Sequence, residues 1–384
     1  MNSRSGPPVS PLAAGAGGSG QERGLTAGHA TPRSVTFLVT FVVCTTWLAT
    51  AGASDRDVTF PSIDPDITIA GTLSVPDGVE RAAAVLLITG NGPHTREQRI
   101  SDSPMFTMLA NHLVSHGIAV LRTDARGYGN STGPPDWELS TTADRVTDNR
   151  AALEFLRRQP GVDARRVGVL GHSEGAMIAA ELAAADGSIP LTVLLSTSAL
   201  PGREVFAQQR ADNLRRRGAT EEAAEAVRLQ LLRFADYLSG DRSDRSEFDR
   251  IALDFLAAHG VPEEDLDPKV AQGLLQGFLE APWYWYFVAY DPAAAIRRLR
   301  SPVLAVFAGE DDNVPWRAHL PALVTAYAES GGADLTTVVL PDQDHFFLEY
   351  EGHRVDKHHP GEMQIATELF DVLDRELARH GLGR

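Results

Sequence analysis

The stretch RVGVLGHSEG (166–175), followed without a break by AMIAAELAAA (176–185), decides how this chain reads. The first part is an apolar strand signal ending at Leu170, and the second is a helix built of small residues. Between them Gly171-His172-Ser173-Glu174-Gly175 matches G-x-S-x-G. By composition alone the pattern is expected about 0.2 times in such a chain, so the pentapeptide carries little by itself. Its place at a strand–turn–helix junction carries the weight, because there the turn forces Ser173 into a strained backbone conformation. The flanking glycines let strand and helix approach, and Ala176, Ala179 and Ala180 let the helix pack close. Ser173 Oγ is then exposed at the carboxyl end of a sheet. The helix N-terminus aims N–H groups at it, which favours developing negative charge.

Outward from this point the chain alternates. DVTFPSIDPDITIAGTLSVPDG, from Asp57, reads as a hairpin around a Pro/Asp turn. AAAVLLITG (82–90), IAVLRTD (118–124), LTVLLSTS (191–198), SPVLAVFAGE (301–310) and ADLTTVVLP (333–341) read as buried strands. Helical spacing covers Met105 to Ser115, with Met105, Met108, Leu109 and Leu113 on one stripe ended by Gly117. It recurs over Thr141 to Arg158 and Glu362 to His380. The pattern predicts an α/β chain with a mostly parallel central sheet and helices on both faces. The alternation breaks over 203–297, about 95 residues with helical patterns only, longer than an ordinary connection. The expected organisation is therefore a core of 54–202 and 298–384 interrupted by a helical insertion at 203–297.

Length and composition agree. The chain has 384 residues, with 43% apolar and 22% charged, which excludes disordered, collagen-like and polytopic membrane classes. A net charge of −16 repels polyanions and excludes nucleic acid as a partner. The only lysines are Lys269 and Lys357. The only cysteine is Cys44, so neither an intrachain disulfide nor a cysteine-based zinc site can form. Residues 1–33 are rich in Gly, Ala, Ser and Pro, with Arg4, Arg23 and Arg33 against Glu22. The apolar run VTFLVTFVVCTTWL (35–48) follows, with small-x-small patterns at Ala49-Thr50-Ala51 and Ala51-Gly52-Ala53. Residues 1–53 read as a secretory signal peptide, with an uncleaved anchor over 35–53 as the alternative. Either sends the body outward, and Arg33 before the run with Asp55 and Asp57 after it agree with the positive-inside bias. Membrane association is expected only if this segment stays uncleaved. Cleavage would remove Cys44, leaving no thiol to act as nucleophile.

Several residues join Ser173. Acyl transfer needs two backbone N–H groups aimed at the developing oxyanion. One is expected from Glu174, and the other from the loop Thr89-Gly90-Asn91-Gly92-Pro93, where Asn91 is the candidate and Gly92 the alternative. His94, in the same loop, reads as a surface histidine. An acid is expected at the end of VLAVFAGEDDNVP (303–315). Asp311 is favoured from its place in D-x-N-V-P, and Asp312 competes because it fits when counted from Gly309. His345, beyond strand 333–341, is the expected base. His353, His358 and His359 read as a solvated stretch, with nothing to pin them as metal ligands. The order Ser173, Asp311, His345 supports nucleophilic catalysis with no cofactor and no metal: His345 takes the Ser173 proton and Asp311 orients the imidazole. The aromatic run Ala281 to Phe287 (APWYWYF) reads mostly as packing, with an apolar acyl pocket as the competing reading.

The chain resembles bacterial serine esterases of the α/β-hydrolase superfamily that carry a helical cap. The similarity spans about 57–380 and rests on Gly90 to Pro93, on Asp124-Ala125-Arg126-Gly127-Tyr128-Gly129-Asn130-Ser131, on Gly171 to Gly175, on Asp311 to Pro315 and on His345. It implies that 203–297 roofs the site and that the Asp124 to Ser131 loop is structural. There are departures: Thr89 stands where many relatives have His, and Asp311 is one residue off the commonest Gly-x-x-Asp spacing. The implied activity is carboxylic-ester hydrolysis through an acyl-enzyme, on a small-molecule ester with an apolar acyl group. A peptidase or amidase using the same three residues is the alternative. It is disfavoured because proline-type aminopeptidases carry HGGPG and a Trp after the nucleophile, where this chain has Glu174. A non-catalytic binding protein is the third reading. Dehalogenase and epoxide-hydrolase relatives use Asp where this chain has Ser173.

Overall fold

The computed structural model describes residues 53–354 and 361–383. The expected signal segment therefore lies outside the described residues, apart from Ala53, and so do His358 and His359. Among the described residues no helix is long and apolar enough to cross a membrane.

Eight strands form one sheet: β1 (Ala53–Pro61), β2 (Thr68–Pro76), β3 (Ala82–Ile88), β4 (Ile118–Thr123), β5 (Val162–His172), β6 (Thr192–Leu195), β7 (Val303–Ala308) and β8 (Leu335–Leu340). Their spatial order is β1-β2-β4-β3-β5-β6-β7-β8. The β1–β2 hairpin and the β2–β4 pair are antiparallel, and every later neighbour is parallel. The alternation along β3 shows how the sheet is covered. Ala82, Ala84, Leu86 and Ile88 belong to one apolar cluster, and Ala83, Val85 and Leu87 to the other, as the two-residue period of a strand requires. All seven are buried, which is why the run carries no polar residue.

The first cluster is closed by α2 (Thr142–Arg157), α3 (Glu174–Ala185), α9 (Pro292–Ile296) and α10 (Trp316–Ser330), and the second by α1 (Met105–Ser115) and α11 (Thr367–Arg379). α2 starts where a capping box fixes it: Thr141 accepts from the Asp144 N–H, and the Asp144 carboxylate accepts from the Thr141 N–H at 2.8 Å. Two boundaries differ from the sequence reading. The strand expected over 191–198 stops at Leu195, because Ser196 takes a positive φ of 47° and leaves the extended region. The last helix starts at Thr367 rather than Glu362, because Gln364 and Ile365 pair as a short strand with Glu349 and Leu348.

Between β6 and β7 the chain makes α4 (Gly202–Arg216), α5 (Glu221–Ser239), α6 (Arg245–Ala258), α7 (Pro268–Glu280) and α8 (Pro282–Ala289). They share a separate apolar cluster that includes Phe234, Phe248 and Leu231 and meets the core at Met177 of α3 and at Trp137, which sits edge-on to Trp283 at 5.0 Å. The two ends of this insertion meet where the Gly202 N–H donates to the Tyr290 carbonyl at 2.8 Å. α9 lies within the range expected to be insertion, yet Ala293, Ala295 and Ile296 pack with the sheet-side cluster. The aromatic run does serve packing: Trp283 stacks on Phe287 at 4.7 Å, and Tyr284 sits edge-on to Phe278 at 4.5 Å.

Candidate active site

Ser173 sits at the tip of β5 as the residue preceding α3, with φ 56° and ψ −121°. This is a strained conformation for a residue with a Cβ. It is over-determined by its neighbours. A Cβ on Gly171 would lie 2.0 Å from the Gly175 carbonyl oxygen, and one on Gly175 would lie 2.1 Å from that of Ile88. Only glycine allows β5, α3 and the end of β3 to come this close. The Ser173 N–H donates to the Leu195 carbonyl at 2.9 Å, which ties the turn to β6. Glu174, the first residue of α3, has a backbone N–H with no partner inside the helix.

Beside Ser173 a cavity of about 350 Å³ is lined by Asn91, His94, Ile100, Gln209, Asn313, His345 and Phe346, among others. Gln209, from α4, brings the insertion to the cavity wall, and its amide donates to the Asn313 carbonyl at 2.8 Å. His345 is buried and its Nδ1 lies 2.8 Å from Asp311 Oδ2. Asp311 Oδ1 accepts from the Asn313 and Val314 N–H groups, each at 2.8 Å. Burial pushes the Asp311 carboxyl up, but His345 and these hydrogen bonds outweigh it and hold the group down at about 2. An ionised Asp311 can only accept, so His345 carries a proton on Nδ1, and in the neutral imidazole the lone pair is on Nε2. Asp312 does not share this setting: its side chain is 65% exposed and pairs with Arg216 at 3.4 Å. Ser173, His345 and Asn91 therefore meet at one cavity, and Asp311 rather than Asp312 meets His345.

A buried polar chain joins the three loops of the site. The Gly90 N–H donates to Gln98 Oε1 at 2.6 Å, so the Gln98 Nε2 group is the donor toward His172 Nδ1 at 2.9 Å. His172 Nε2–H then donates to the His345 carbonyl at 2.8 Å. Each direction follows from the ends, which are a backbone N–H and a backbone carbonyl. The His172 ring must be neutral to accept at Nδ1, and burial indeed lowers it to about 3. The Gly90 N–H is thereby occupied, which leaves Asn91 as the next donor in its loop.

Arg145, from α2, holds the other side. It donates to the Thr89 and Gly90 carbonyls at 2.8 Å each and to Glu174 Oε2 at 2.6 Å. Buried Glu174 also accepts from Thr142 Oγ1 at 2.5 Å and from Trp283 Nε1 of α8 at 3.0 Å. One carboxylate thus links the residue after Ser173 to the insertion and, through Arg145, to the loop that follows β3.

The Asp124 to Ser131 loop is tied up in buried pairs. Asp124 holds Arg96 at 2.7 Å, and Arg126 holds Asp148 through two bonds of 2.7 Å. His94 is not a surface histidine. It lines the cavity, and burial lowers it to about 4 because Arg145 and the low-polarity surroundings disfavour its charge. His353 lies in a two-residue strand paired with Tyr350 rather than in a free loop.

Comparison with known proteins decides the family. The model of the alpha/beta hydrolase family matches residues 85–357. The chain belongs to that family. This hydrolase is 24% identical over 330 residues to an esterase, EstD, of Thermotoga maritima, covering 82% of this chain and 68% of that protein. It is 36% identical over 233 residues to thiohydrolase aneE of Aspergillus aculeatus, covering 53% of this chain and 64% of that protein. Among solved structures it is similar in fold to the esterase Pf2001 of Pyrococcus furiosus, with a TM-score of 0.52 at 14% identity over 85% of this chain and 91% of that one. These likenesses make it a carboxylesterase-like hydrolase. The residues that the sequence reading passed over in it are Gln98, Arg145 and the bonding role of His172. None lies in a local pattern that would have marked it, although His172 stands inside the pentapeptide itself.

Proposed function

We propose that this hydrolase cleaves carboxylic esters through an acyl-enzyme, with Ser173 as nucleophile, His345 as general base and acid, and Asp311 as the group that orients His345. The observation that carries the reading is the 2.8 Å bond from His345 Nδ1 to a buried, ionised Asp311 at the cavity that Ser173 lines. With Nδ1 protonated, Nε2 is the free base that takes the Ser173 proton as Oγ attacks the ester carbon. The resulting imidazolium is stabilised by Asp311 and then protonates the leaving alcohol. The oxyanion is received by the backbone N–H groups of Glu174 and Asn91, each worth about 3–4 kcal/mol in such sites. Water, activated by the same His345, releases the acid.

The cavity volume is at the lower end for small-ligand sites. Ile100 and Phe346 give it an apolar wall for the acyl group, whereas His94, Gln209 and Asn313 face it with polar groups. Substrate choice is then set jointly by the loops of the core and by the insertion, which reaches the cavity at Gln209. The reading includes export of the mature chain from residues near 53.

The test is labelling and turnover. Wild-type protein is expected to react with a fluorophosphonate probe and to hydrolyse short-chain aryl esters. Ser173→Ala should do neither while keeping its thermal unfolding transition. Aminoacyl anilides run in parallel decide against the amide reading if they are turned over far more slowly than the esters. A folded Ser173→Ala protein that still hydrolyses the ester overturns the proposal.

A further inference from the structure

At the end of the sheet opposite Ser173, the C-terminal end of α1, with His116 just beyond it, and α11 bring three metal-ligating side chains together. α1 ends at Ser115 and β4 begins at Ile118, so the last turns of α1 lie at the amino ends of the parallel strands. Ser173 lies at their carboxyl ends. His112 and His116 are four residues apart and share one helix face. Asp374, from α11, faces both: His112 Nε2 is 2.8 Å from Oδ1, and His116 Nε2 is 3.6 Å from Oδ2. The three donor atoms all lie within 4.8 Å of one another.

The bonding around the rings orients both imidazoles toward Asp374. His116 Nδ1 lies 2.9 Å from the His112 carbonyl, which can only accept, so Nδ1 carries a proton and Nε2 is turned toward Asp374. Nε2 and a carboxylate oxygen then face each other, a pair that either a proton or a metal ion bridges. A backbone carbonyl fixing one ring nitrogen while the other is free is the support that metal-bound imidazoles use. His112 is held as well, stacked on Phe370 at 4.0 Å and 14°. Four-coordinate zinc, with ligands at about 2.0–2.1 Å, puts its donor atoms roughly 3.3 Å apart, and the two separations to Asp374 bracket that value. The His116 side chain is 45% exposed, so water can reach the remaining position.

We infer that His112, His116 and Asp374 form a binding site for a divalent transition-metal ion of the Zn²⁺ class. Two imidazole nitrogens and one carboxylate suit Zn²⁺, Ni²⁺ or Cu²⁺, whereas Mg²⁺ and Ca²⁺ require oxygen ligands throughout. The site is structural by its position. Leu109 and Leu113 of α1 pack in one cluster with Leu369, Leu373 and Leu377 of α11, and the ion would staple these helices at their solvent-facing side. An ion that binds only the folded chain multiplies the folding constant by about 100 at a hundredfold excess over its Kd. The net charge of −16 favours cations near the surface.

The test uses the full chain, stripped with a chelator, titrated calorimetrically with ZnCl₂ and followed by thermal unfolding with ZnCl₂ or MgCl₂. One saturable Zn²⁺ site that raises Tm is expected, with no such shift from MgCl₂. His116→Ala and Asp374→Asn should each weaken Zn²⁺ binding at least tenfold and abolish the Tm shift, while ester hydrolysis without metal stays at the wild-type rate. His353→Ala, a histidine outside the group, should bind as wild type does. Absence of saturable binding, an equal shift from MgCl₂, or unchanged binding in folded His116→Ala or Asp374→Asn overturns the inference.

Discussion

Replacing Asp311 by Asn changes charge and hydrogen-bond polarity at the base with almost no change in volume. The native carboxylate spends Oδ1 on the N–H groups of Asn313 and Val314, and Oδ2 on His345 Nδ1. An amide in the same pose must keep its oxygen toward the two backbone donors, where only an acceptor fits. It then presents its NH₂ to His345, Nδ1 must accept, and the ring proton moves to Nε2. A ring protonated at Nε2 cannot take the Ser173 proton. In the Ser-His-Asp template this wrong tautomer lowers kcat by about 10⁴, which corresponds to roughly 5 kcal/mol of barrier. The assay is kcat on an aryl ester at pH 7.5 for Asp311→Asn and Asp312→Asn, with thermal unfolding as the check on folding. Asp312 is exposed and touches Arg216, so Asp312→Asn should stay within about threefold of wild type. If Asp311→Asn keeps more than a tenth of the wild-type kcat, or if Asp312→Asn matches its loss, the assignment of the acid is refuted.

Half-buried His94 and buried His172 and His319 are lowered to about 4, 3 and 4, chiefly by desolvation. Unfolded, they titrate near 6.5, so between about pH 6.5 and 4 the unfolded chain binds more protons and stability falls as pH falls. The slope is up to about 1.4 kcal/mol per pH unit for each histidine. Urea unfolding at pH 7.5, 6 and 5 should show this loss, and a flat profile would contradict it. At Ser173, with φ 56°, glycine relieves strain that alanine retains. Ser173→Gly should therefore be more stable than Ser173→Ala by about 0.5–1 kcal/mol, the reverse of the order at an ordinary site. Equal or inverted denaturation midpoints would show that the turn is not strained. Expressed in a secreting host, the mature protein should begin at Gly52 or Ser54, with β1 next to its N-terminus, and should contain no titratable thiol. Mass spectrometry finding a cell-retained chain that still carries Cys44 would remove the cleaved-signal reading and leave the anchor.

The parts of the molecule legible in the sequence are those whose cause is local. An apolar run buried on both faces announces itself, as 82–90 does, and its alternate side chains divide between the two clusters with no further information needed. The turn at Ser173 is local in part: glycine at 171 is required by the backbone of Gly175 and Ala176, whereas glycine at 175 is required by Ile88 and Thr89 at the end of β3. The choice between Asp311 and Asp312 was not local. It depends on which carboxylate the 309–315 turn sends inward, and the two bonds from Asn313 and Val314 make that choice. α9 escaped for a similar reason: a five-residue helix shows no period that would tell a sheet-side face from an insertion-side one.

The polar braces of the site were the least legible. The bonds of His172 span 74 residues to Gln98 and 173 to His345, and Arg145 reaches back 55 residues to Gly90. No window in the sequence contains both partners. Their chemistry nevertheless explains why the local signals come together as a site. The Gly90, His172 and His345 loops leave different strands, and sheet pairing alone fixes only the strand ends. Gln98 and His172 add a chain whose bonds can run in only one direction, with its ends on backbone groups of the first and last loops. Arg145 and Glu174 bind the oxyanion loop to the start of α3 and, through Trp283, to the insertion. A buried chain of this kind is costly when any member is left unpaired, so it favours one relative placement of the three loops. On this reasoning the fold brings Ser173 and His345 to the same cavity, and the buried polar chain sets the register between them.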